Sequence, residues 1–539
     1  MNTTSSVRNL IRYLKTVNWK LLIFLVLILN VKLIFKVIAL ILVYVIQADF
    51  RPGFKLNNSR LPLFYPAMIA IAVFNWIISK SYNDTNKNLL LITGIFFWIA
   101  CMLIVHQLKY FVETTTVNIL HNTLKVFFVL NAILSVATIF GIIVETGSIN
   151  PYRFQGNYQK YFINTGDYIK GISFDTSITN AAINVFGIYY FLFERNFKLV
   201  FLCMTVLLLS ASNLSIFILF TLLLLVFIFK SDKAQKSVIA ICFFMLVVFF
   251  GRISPQNNQY ASEIFKGPGK SLKGNVNVSS GLSLQQTPDI LLNVEEKKEK
   301  IALNYLDKMS EIINDRIRKQ EHNEIAAVSL ERPRPVIPTD DIHSRPFQRI
   351  NDTNELRSKL LSYIKNEHIA PRPVNSGPGK LLAAKQIIYF LKQHPDKIIS
   401  GNGTGNFSSK LAMRATSLGF AGGYPKEFAY THPDFKENHL AVYLSFFSDQ
   451  AKLHSVLNSP NSVYFQLIGE YGLAGILSFI FLYIWFFLRH RNDSGFVFPM
   501  LLILLFYFSF DYWFEQLSIV PIFELLIFIN RKKYALEGE

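Results

Sequence analysis

Side chains that could do chemistry are concentrated where a polar stretch runs into a long apolar segment near the C-terminus. His454 precedes Asn461 and Tyr464, and Glu470 follows them within the apolar segment, which begins near residue 463. An imidazole titrates near neutral pH and can act as a general base. Because about 20 apolar helical residues cross a bilayer, this pattern predicts a reactive edge at a membrane surface.

A second candidate is the sequence Gly-Asn-Gly-Thr-Gly-Asn-Phe at residues 401–407. Glycine allows successive backbone amides to turn toward a phosphate, so the segment is either a plain turn or a phosphate-binding loop. It has neither the Gly-Lys-Ser/Thr ending of a Walker loop nor the preceding strand of a dinucleotide fingerprint. Lys410 and Arg414 follow it and would share one face if residues 407–417 are helical.

The composition indicates a polytopic membrane protein, because the 539 residues are 51% hydrophobic and include 50 phenylalanines. We predict an all-α fold of about twelve transmembrane helices. Single spans are expected near residues 61–80, 88–106, 120–145, 463–488, 495–511 and 515–530, with four more between 176 and 251. Residues 21–46 form either two short helices in a hairpin or one long tilted helix.

The apolar runs divide the chain into an N-terminal bundle of about nine spans (1–251), a loop domain (252–462), and about three C-terminal spans with a short tail (463–539). Loops rich in Lys and Arg stay in the cytoplasm, so their alternation predicts cytoplasmic termini and a loop domain outside the cytoplasm. Within that domain, about 267–288 is expected to be a flexible linker. Apolar spacing at 289–327, 354–366 and 380–393 predicts a mostly helical remainder.

Several classes of partner are excluded by composition. The formal charge of +18 resides mostly in membrane helices and short turns, so it does not indicate nucleic-acid binding. Cys101, Cys203 and Cys242 lie in predicted spans, which leaves no disulfide framework and no CxxC metal pattern in the loop domain. Acidic residues in the loop domain lack ligand spacing. We expect neither a metal nor another cofactor.

The order of these motifs resembles the O-antigen ligase and O-antigen polymerase superfamily of bacterial membrane glycosyltransferases. Three features carry the resemblance: Asn-Pro-Tyr-Arg-Phe-Gln-Gly at 150–156, the glycine-bearing sequence at 400–407, and residues 461–475, which open an apolar span. The resemblance implies a GT-C-like fold in the bacterial inner membrane and an undecaprenyl-pyrophosphate-linked glycan donor. It also implies metal-independent transfer at the periplasmic face.

Three acceptors fit this resemblance. A ligase, the alternative we prefer, would use the lipid A-core of lipopolysaccharide. A polymerase would use another lipid-linked repeat, and a protein O-oligosaccharyltransferase would use a protein hydroxyl. The chain departs from the family pattern at Pro460, where a histidine usually precedes the Asn, and at Asn213, where an arginine is usual.

Transfer from a lipid pyrophosphate needs cations for the leaving group and a base for the acceptor hydroxyl. By the resemblance, Arg153 would hold the pyrophosphate and His454 would be the base, with Glu470 as the third catalytic candidate. The candidate substrate-binding residues are Arg414, Lys410, Arg252, His439, His432, Asn461 and Tyr464.

Each choice has a structural alternative. His454 is otherwise an ordinary loop histidine, and His432 and His439 are otherwise structural. Arg153 would then anchor a helix end to lipid headgroups, and Glu470 would cap or pair at the start of its helix.

Two other functions compete with glycan transfer. A transporter such as a lipid-glycan flippase should have matching halves and ionisable residues at mid-membrane depth. The best-defined spans here are nearly free of charge and the halves do not match. A sensor would need a cytoplasmic output domain, whereas every predicted inner loop is short.

Overall fold

All regular elements that the structure describes are helices. The computed structural model describes residues 14–47, 51–55, 59–153, 165–254, 378–416, 423–440, 442–443, 458–489 and 494–537. Within those ranges no strand occurs. The all-helical prediction is therefore confirmed for this part of the chain, whereas the expected helices at 289–327 and 354–366 and the expected linker at 267–288 lie outside it.

The N-terminal half contains nine apolar helices in the described residues. They are α1 (Trp19–Leu29), α2 (Leu33–Ile46), α3 (Phe64–Ile78), α4 (Thr85–Thr114), α5 (Val117–Thr146), α6 (Ser177–Phe193), α7 (Phe197–Leu209), α8 (Asn213–Phe229) and α9 (Lys233–Val248). Residues 21–46 form two helices, because Asn30 adopts an extended conformation and ends α1. The hairpin alternative is thus confirmed.

The second half contains shorter helices followed by apolar ones. They are α10 (Gly379–Gln393), α11 (Lys397–Ser400), α12 (Lys410–Ala415), α13 (Pro433–Asn438), α14 (Val463–Ser478), α15 (Trp485–Leu488), α16 (Ser494–Tyr507), α17 (Trp513–Gln516) and α18 (Ile519–Glu537). A π-helical turn at Phe479–Ile484 joins α14 to α15. The helix predicted at 380–393 coincides with α10.

Among the described residues, four helices are long and apolar enough to cross a membrane. They are Thr85–Thr114, Val117–Thr146, Lys233–Ile253 and Val463–Leu488. Seven further apolar helices are shorter, with 10–17 residues each. The molecule is thus a helical protein suited to a membrane.

One predicted span is not a continuous helix. Gly472, in the middle of α14, has φ 62° and ψ −156°, far from helical values. A single glycine inside a helical pattern is ordinarily tolerated, so the sequence pattern did not indicate this break.

The chain forms two compact units. The first comprises Met1–Ile71, Ile95–Gln259 and Gly475–Glu539. Its innermost helix is α6, in which every residue from Thr179 to Leu192 is buried. A helix that is apolar on all sides is stable only when it is surrounded, so α6 forms the centre of this unit.

Aromatic packing closes the first unit around Phe64. Its ring makes edge contacts with Trp98 and Tyr483 at centroid distances of 5.5 Å and 5.4 Å. Two buried ionisable side chains also lie in this unit. Glu524 accepts hydrogen bonds from the hydroxyls of Tyr65 at 2.6 Å and Tyr483 at 3.1 Å. The Lys36 ammonium donates to the Leu517 carbonyl at 3.1 Å.

The second unit comprises Ala72–Gly94 and Tyr260–Ala474. It includes the turn between α3 and α4, which the division from sequence assigned to the 1–251 bundle. One of its apolar clusters joins Leu90 of α4 to Leu411 and Ala415 of α12. Another joins Ile387 and Phe390 of α10 to Phe407.

Candidate functional site

The glycine-bearing loop of residues 401–407 is folded around the side chain of Glu470 in the second unit. Glu470 is fully buried, and its carboxylate accepts hydrogen bonds from the backbone amides of Gly405 at 2.9 Å and Phe407 at 3.3 Å. Charge-assisted bonds of this kind are stronger than neutral ones. The carboxylate therefore occupies the place that an external anion would take in a phosphate-binding loop.

The backbone of α14 accepts two more amides of the same loop. The amide of Asn402 donates to the Gly469 carbonyl and that of Gly403 to the Glu470 carbonyl, each at 2.9 Å. These carbonyls lie just before the break at Gly472, where a helix leaves its last carbonyls without intrahelical partners. The geometry matches the plain-turn alternative, because these amides are engaged within the protein.

Two glycines allow the loop and the broken helix to approach so closely. Gly401 has φ 71° and Gly472 has φ 62°, values that side-chain-bearing residues rarely adopt. A Cβ at Gly401 would lie 2.4 Å from the Glu470 carbonyl carbon, and one at Gly472 would lie 2.5 Å from the Gly401 nitrogen. No side chain can be accommodated on either face of this contact.

Asn75, near the end of α3, completes the support of the loop. Its amide nitrogen donates to the carbonyls of Ser400 at 2.7 Å and Gly401 at 3.1 Å. Asn75 is only 4% exposed. A polar side chain in an otherwise apolar helix is a recognisable sequence signal, and it could have pointed to Asn75.

His432 adjoins the loop through Asn402. Its Nδ1 accepts hydrogen bonds from the Asn402 amide at 3.1 Å and from the backbone amide of Asp434 at 3.2 Å. Two donors at Nδ1 place the ring proton on Nε2, so Nε2 can donate to a ligand and cannot act as a base. His432 also caps the N-terminus of α13.

Electrostatics keep His432 neutral. Burial lowers its pKa to about 3, and the charges of Lys87, Lys397 and His394 act in the same direction. Lys87 belongs to α4 and Lys397 to α11, so charges far apart in sequence act on the same imidazole.

His439 lies in the interior of the second unit. Its ring packs edge-on against Phe407 at a centroid distance of 4.5 Å, and it is fully buried. Burial lowers its pKa to about 3. Among the described residues neither ring nitrogen has a hydrogen-bond partner. This is the position of a core side chain, which was the structural alternative to substrate binding.

Lys410 and Arg414 both lie on α12, which is shorter than the helix expected over residues 407–417. Lys410 is buried and Arg414 is half-buried. The Ser409 hydroxyl caps α12 by accepting the amide of Ala412 at 2.9 Å. The two cations are therefore held directly downstream of the loop.

Asn461 and Tyr464 lie at the start of α14. Asn461 is buried, and its carbonyl accepts a hydrogen bond from the Lys380 ammonium at 2.6 Å. Tyr464 is half-buried. The bond from Lys380 joins the beginning of α10 to the polar stretch that precedes the apolar segment.

The remaining predicted site residues do not join this arrangement in the described part of the chain. His454 lies outside the described residues, as does the side chain of Arg153, whose backbone ends a short helical turn at Pro151–Arg153. Arg252 is exposed at the end of the π-helical turn Phe249–Ile253. Arg153 and Arg252 belong to the first unit.

Sequence reasoning missed several residues that contact the loop or act on His432, namely Asn75, Lys87, Lys397 and Asp434. Burial raises the pKa of Asp434, and the charge of Lys397 acts against that shift. Among the described residues, no group of three or more His, Cys, Asp or Glu side chains is arranged to hold a metal ion.

Comparisons with protein-family models, with curated proteins and with solved structures find no match to this chain. The described residues define a helical protein with four helices long and apolar enough to cross a membrane, and with a second unit that contains a buried loop.

Proposed function

We propose that this protein is an integral-membrane glycosyltransferase of the O-antigen ligase and polymerase type. It would transfer an oligosaccharide or polysaccharide from an undecaprenyl-pyrophosphate donor to an acceptor at the periplasmic face of the bacterial inner membrane. The observation that carries the proposal is the hydrogen bond between His432 and Asn402 of the glycine-bearing loop, where the charges of Lys87 and Lys397 act on the imidazole.

In this proposal the fold has about twelve spans in a GT-C-like arrangement, with both termini in the cytoplasm. What supports it is that each predicted apolar run contains a helix. The turn between α3 and α4 shares a unit with the described residues of the loop domain, which agrees with a periplasmic location for both.

The chemistry would proceed by direct displacement at the anomeric carbon. The acceptor hydroxyl loses its proton to the imidazole of His454, and its oxygen forms a bond to that carbon. The bond from the carbon to the phosphate oxygen breaks, and the lipid pyrophosphate leaves with the electron pair. Lys87 and Lys397 would stabilise the departing charge, and His432 would donate through Nε2. By the sequence resemblance alone, Arg153 stays a candidate for the same role.

The described cations allow a direct test. We expect Lys397→Ala or Lys87→Ala to lower kcat/KM for glycan transfer about tenfold, because a hydrogen bond to a charged group contributes about 1.5 to 3 kcal/mol. Lys392→Ala is the matched control, since Lys392 is exposed on the last turn of α10. Full activity in both Lys397→Ala and Lys87→Ala would exclude these lysines from the mechanism.

The glycan composition of cells lacking the protein would separate the acceptors. Accumulation of a long unattached polymer on lipid points to the ligase, our preferred alternative. Single repeats on the lipid A-core point to a polymerase, and loss of protein glycans alone points to the protein-directed enzyme.

A transporter of lipid-linked glycans is the second candidate, and two observations favour it. The apolar segment that begins with α14 is discontinuous at Gly472, and Lys36 and Glu524 are buried ionisable side chains among apolar helices. Transporters use discontinuous helices and buried ionisable groups. Loss of a flippase would trap the donor on the inner leaflet, which distinguishes it from a transferase.

A further inference from the structure

We infer that residues 397–407 form a membrane-dipping segment whose exposed isoleucines, Ile398 and Ile399, contact lipid acyl chains. The partner is the hydrocarbon boundary of the bilayer. This inference requires that α14 lies in the membrane, but it does not depend on glycan transfer.

The segment contacts three apolar helices of the second unit at points inside their apolar stretches. On α3 it is held by Asn75, as described above. On α4, a Cβ at Gly94 would lie 2.1 Å from the Thr404 methyl group, so the Thr404 side chain occupies the space that this glycine leaves. On α14, a Cβ at Gly472 would lie 2.6 Å from the carbonyl oxygen of Ile399.

Helix geometry gives the depth of these contacts. At about 1.5 Å per residue, Asn75 lies about 5 Å from Ile78 at the end of α3, and Gly94 lies about 8 Å from Leu89, where α4 becomes apolar. Interfacial segments bury their apolar faces about 5–10 Å into the boundary between headgroups and acyl chains. The contacts therefore place the segment at that depth.

Irregular backbone at membrane depth requires protein partners, because no water is present to bond its amides and carbonyls. This segment satisfies that requirement. Glu470 and the carbonyls of α14 accept its amides, as described above, and Asn75 donates to the carbonyls of Ser400 and Gly401. Where water is excluded, the buried Glu470 carboxylate replaces it as the acceptor for the Gly405 and Phe407 amides.

Exposure identifies the face that meets lipid. Ile399 is 69% exposed and Ile398 is 42% exposed, although their backbone carbonyls contact the helix break. Large apolar side chains on α3 and α4 in the same unit are exposed as well, namely Phe74, Ile77, Ile78 and Ile92. Lys397 directly precedes the isoleucines and can extend its ammonium toward the headgroups.

The test places a nitroxide label at Ile399→Cys in a variant lacking the three native cysteines, reconstituted into lipid vesicles. Its accessibility to oxygen, which concentrates in lipid, is compared with that to a water-soluble nickel chelate. Leu473→Cys on α14 is the lipid-facing reference, and Lys392→Cys is the aqueous reference. We expect the oxygen-to-nickel ratio at 399 to match that at 473 and to exceed that at 392 several-fold.

A ratio at 399 equal to that at 392, with 473 in lipid, would overturn the inference. Aqueous values at both 399 and 473 would overturn it together with the membrane location of α14. Ile398→Cys provides a second label position if Ile399→Cys does not fold. No glycan donor is present, so failure of the proposed enzymatic function leaves this measurement unaffected.

Discussion

At the scale of single residues, Glu470 is the predicted catalytic candidate whose side chain the structure describes. Its carboxylate is fully buried and accepts two backbone amides of the glycine-bearing loop. Burying a charge is costly unless hydrogen bonds compensate it. The Glu470 side chain therefore stabilises the conformation of the loop, independently of any catalytic role.

We predict that Glu470→Gln destabilises the protein by about 2 to 4 kcal/mol, because the amide group can accept fewer bonds and presents a donor to the loop amides. Thermal unfolding in detergent measures the effect. Glu427→Gln, at an exposed position, is the control and should be neutral. Equal stability of the two variants would show that the loop does not depend on the carboxylate.

The lowered pKa values of His432 and His439 make the free energy of unfolding depend on pH. The pKa of His432 falls from an ordinary value of 6.5 to about 3 on folding, and that of His439 does the same. Below pH 6.5 the unfolded chain binds protons that the folded chain does not, so stability is full above pH 6.5 and falls as the pH drops toward 3. Each histidine contributes a slope of about 1.4 kcal/mol per pH unit.

Replacing one imidazole should reduce that slope. His432→Asn retains an acceptor for the Asp434 amide and removes the titrating group, so the pH dependence between 6.5 and 3 should become shallower by about one proton. Denaturant titrations at several pH values measure this difference. An unchanged slope would contradict the proposed burial of His432.

At the scale of elements, the broken helix and the loop depend on glycine. We predict that Gly401→Ala and Gly472→Ala each destabilise the protein by about 2 kcal/mol or more, because a Cβ would clash with backbone atoms and φ is positive. Gly141→Ala in α5 is the matched control, since a Cβ there would meet no atom within 4 Å. It should be neutral or stabilising by up to about 1 kcal/mol. Equal changes in the free energy of unfolding for all three variants would contradict the close contact between Gly401 and Gly472.

The sequence was sufficient to predict where most helices form. Runs of Leu, Ile and Phe predicted them, and the break between α1 and α2 was one of the two alternatives that the sequence left open for residues 21–46. The break at Gly472 was not predictable from local pattern, because it is produced by the approach of residues 398–401. The influence of Lys87 and Lys397 on His432 was missed for the same reason, since the tertiary fold alone relates these residues. The roles of His454 and Arg153 stay predictions.

At the scale of the whole molecule, the chain divides differently from the order of its apolar runs. Residues 72–94 form a unit with the chain from Tyr260 to Ala474, because Asn75, Leu90 and Gly94 pack within it. The turn between α3 and α4 should therefore lie on the same side of the membrane as α10 and α13.

Labelling with a membrane-impermeant maleimide tests that location. In a variant without native cysteines, Asn83→Cys should react in intact spheroplasts, because Asn83 is exposed in the turn. Lys233→Cys, exposed at the start of α9 next to a turn predicted to be cytoplasmic, should react only after the membrane is permeabilised. The opposite pattern would contradict the proposed topology.

The central claim is glycan transfer from a lipid pyrophosphate, and reconstitution tests it most directly. Purified protein in lipid vesicles would receive an undecaprenyl-pyrophosphate-linked glycan and a lipid A-core acceptor, without ATP or added metal. The account predicts glycan joined to the acceptor and release of undecaprenyl pyrophosphate in equal amounts. An intact donor that has only moved between leaflets would contradict it.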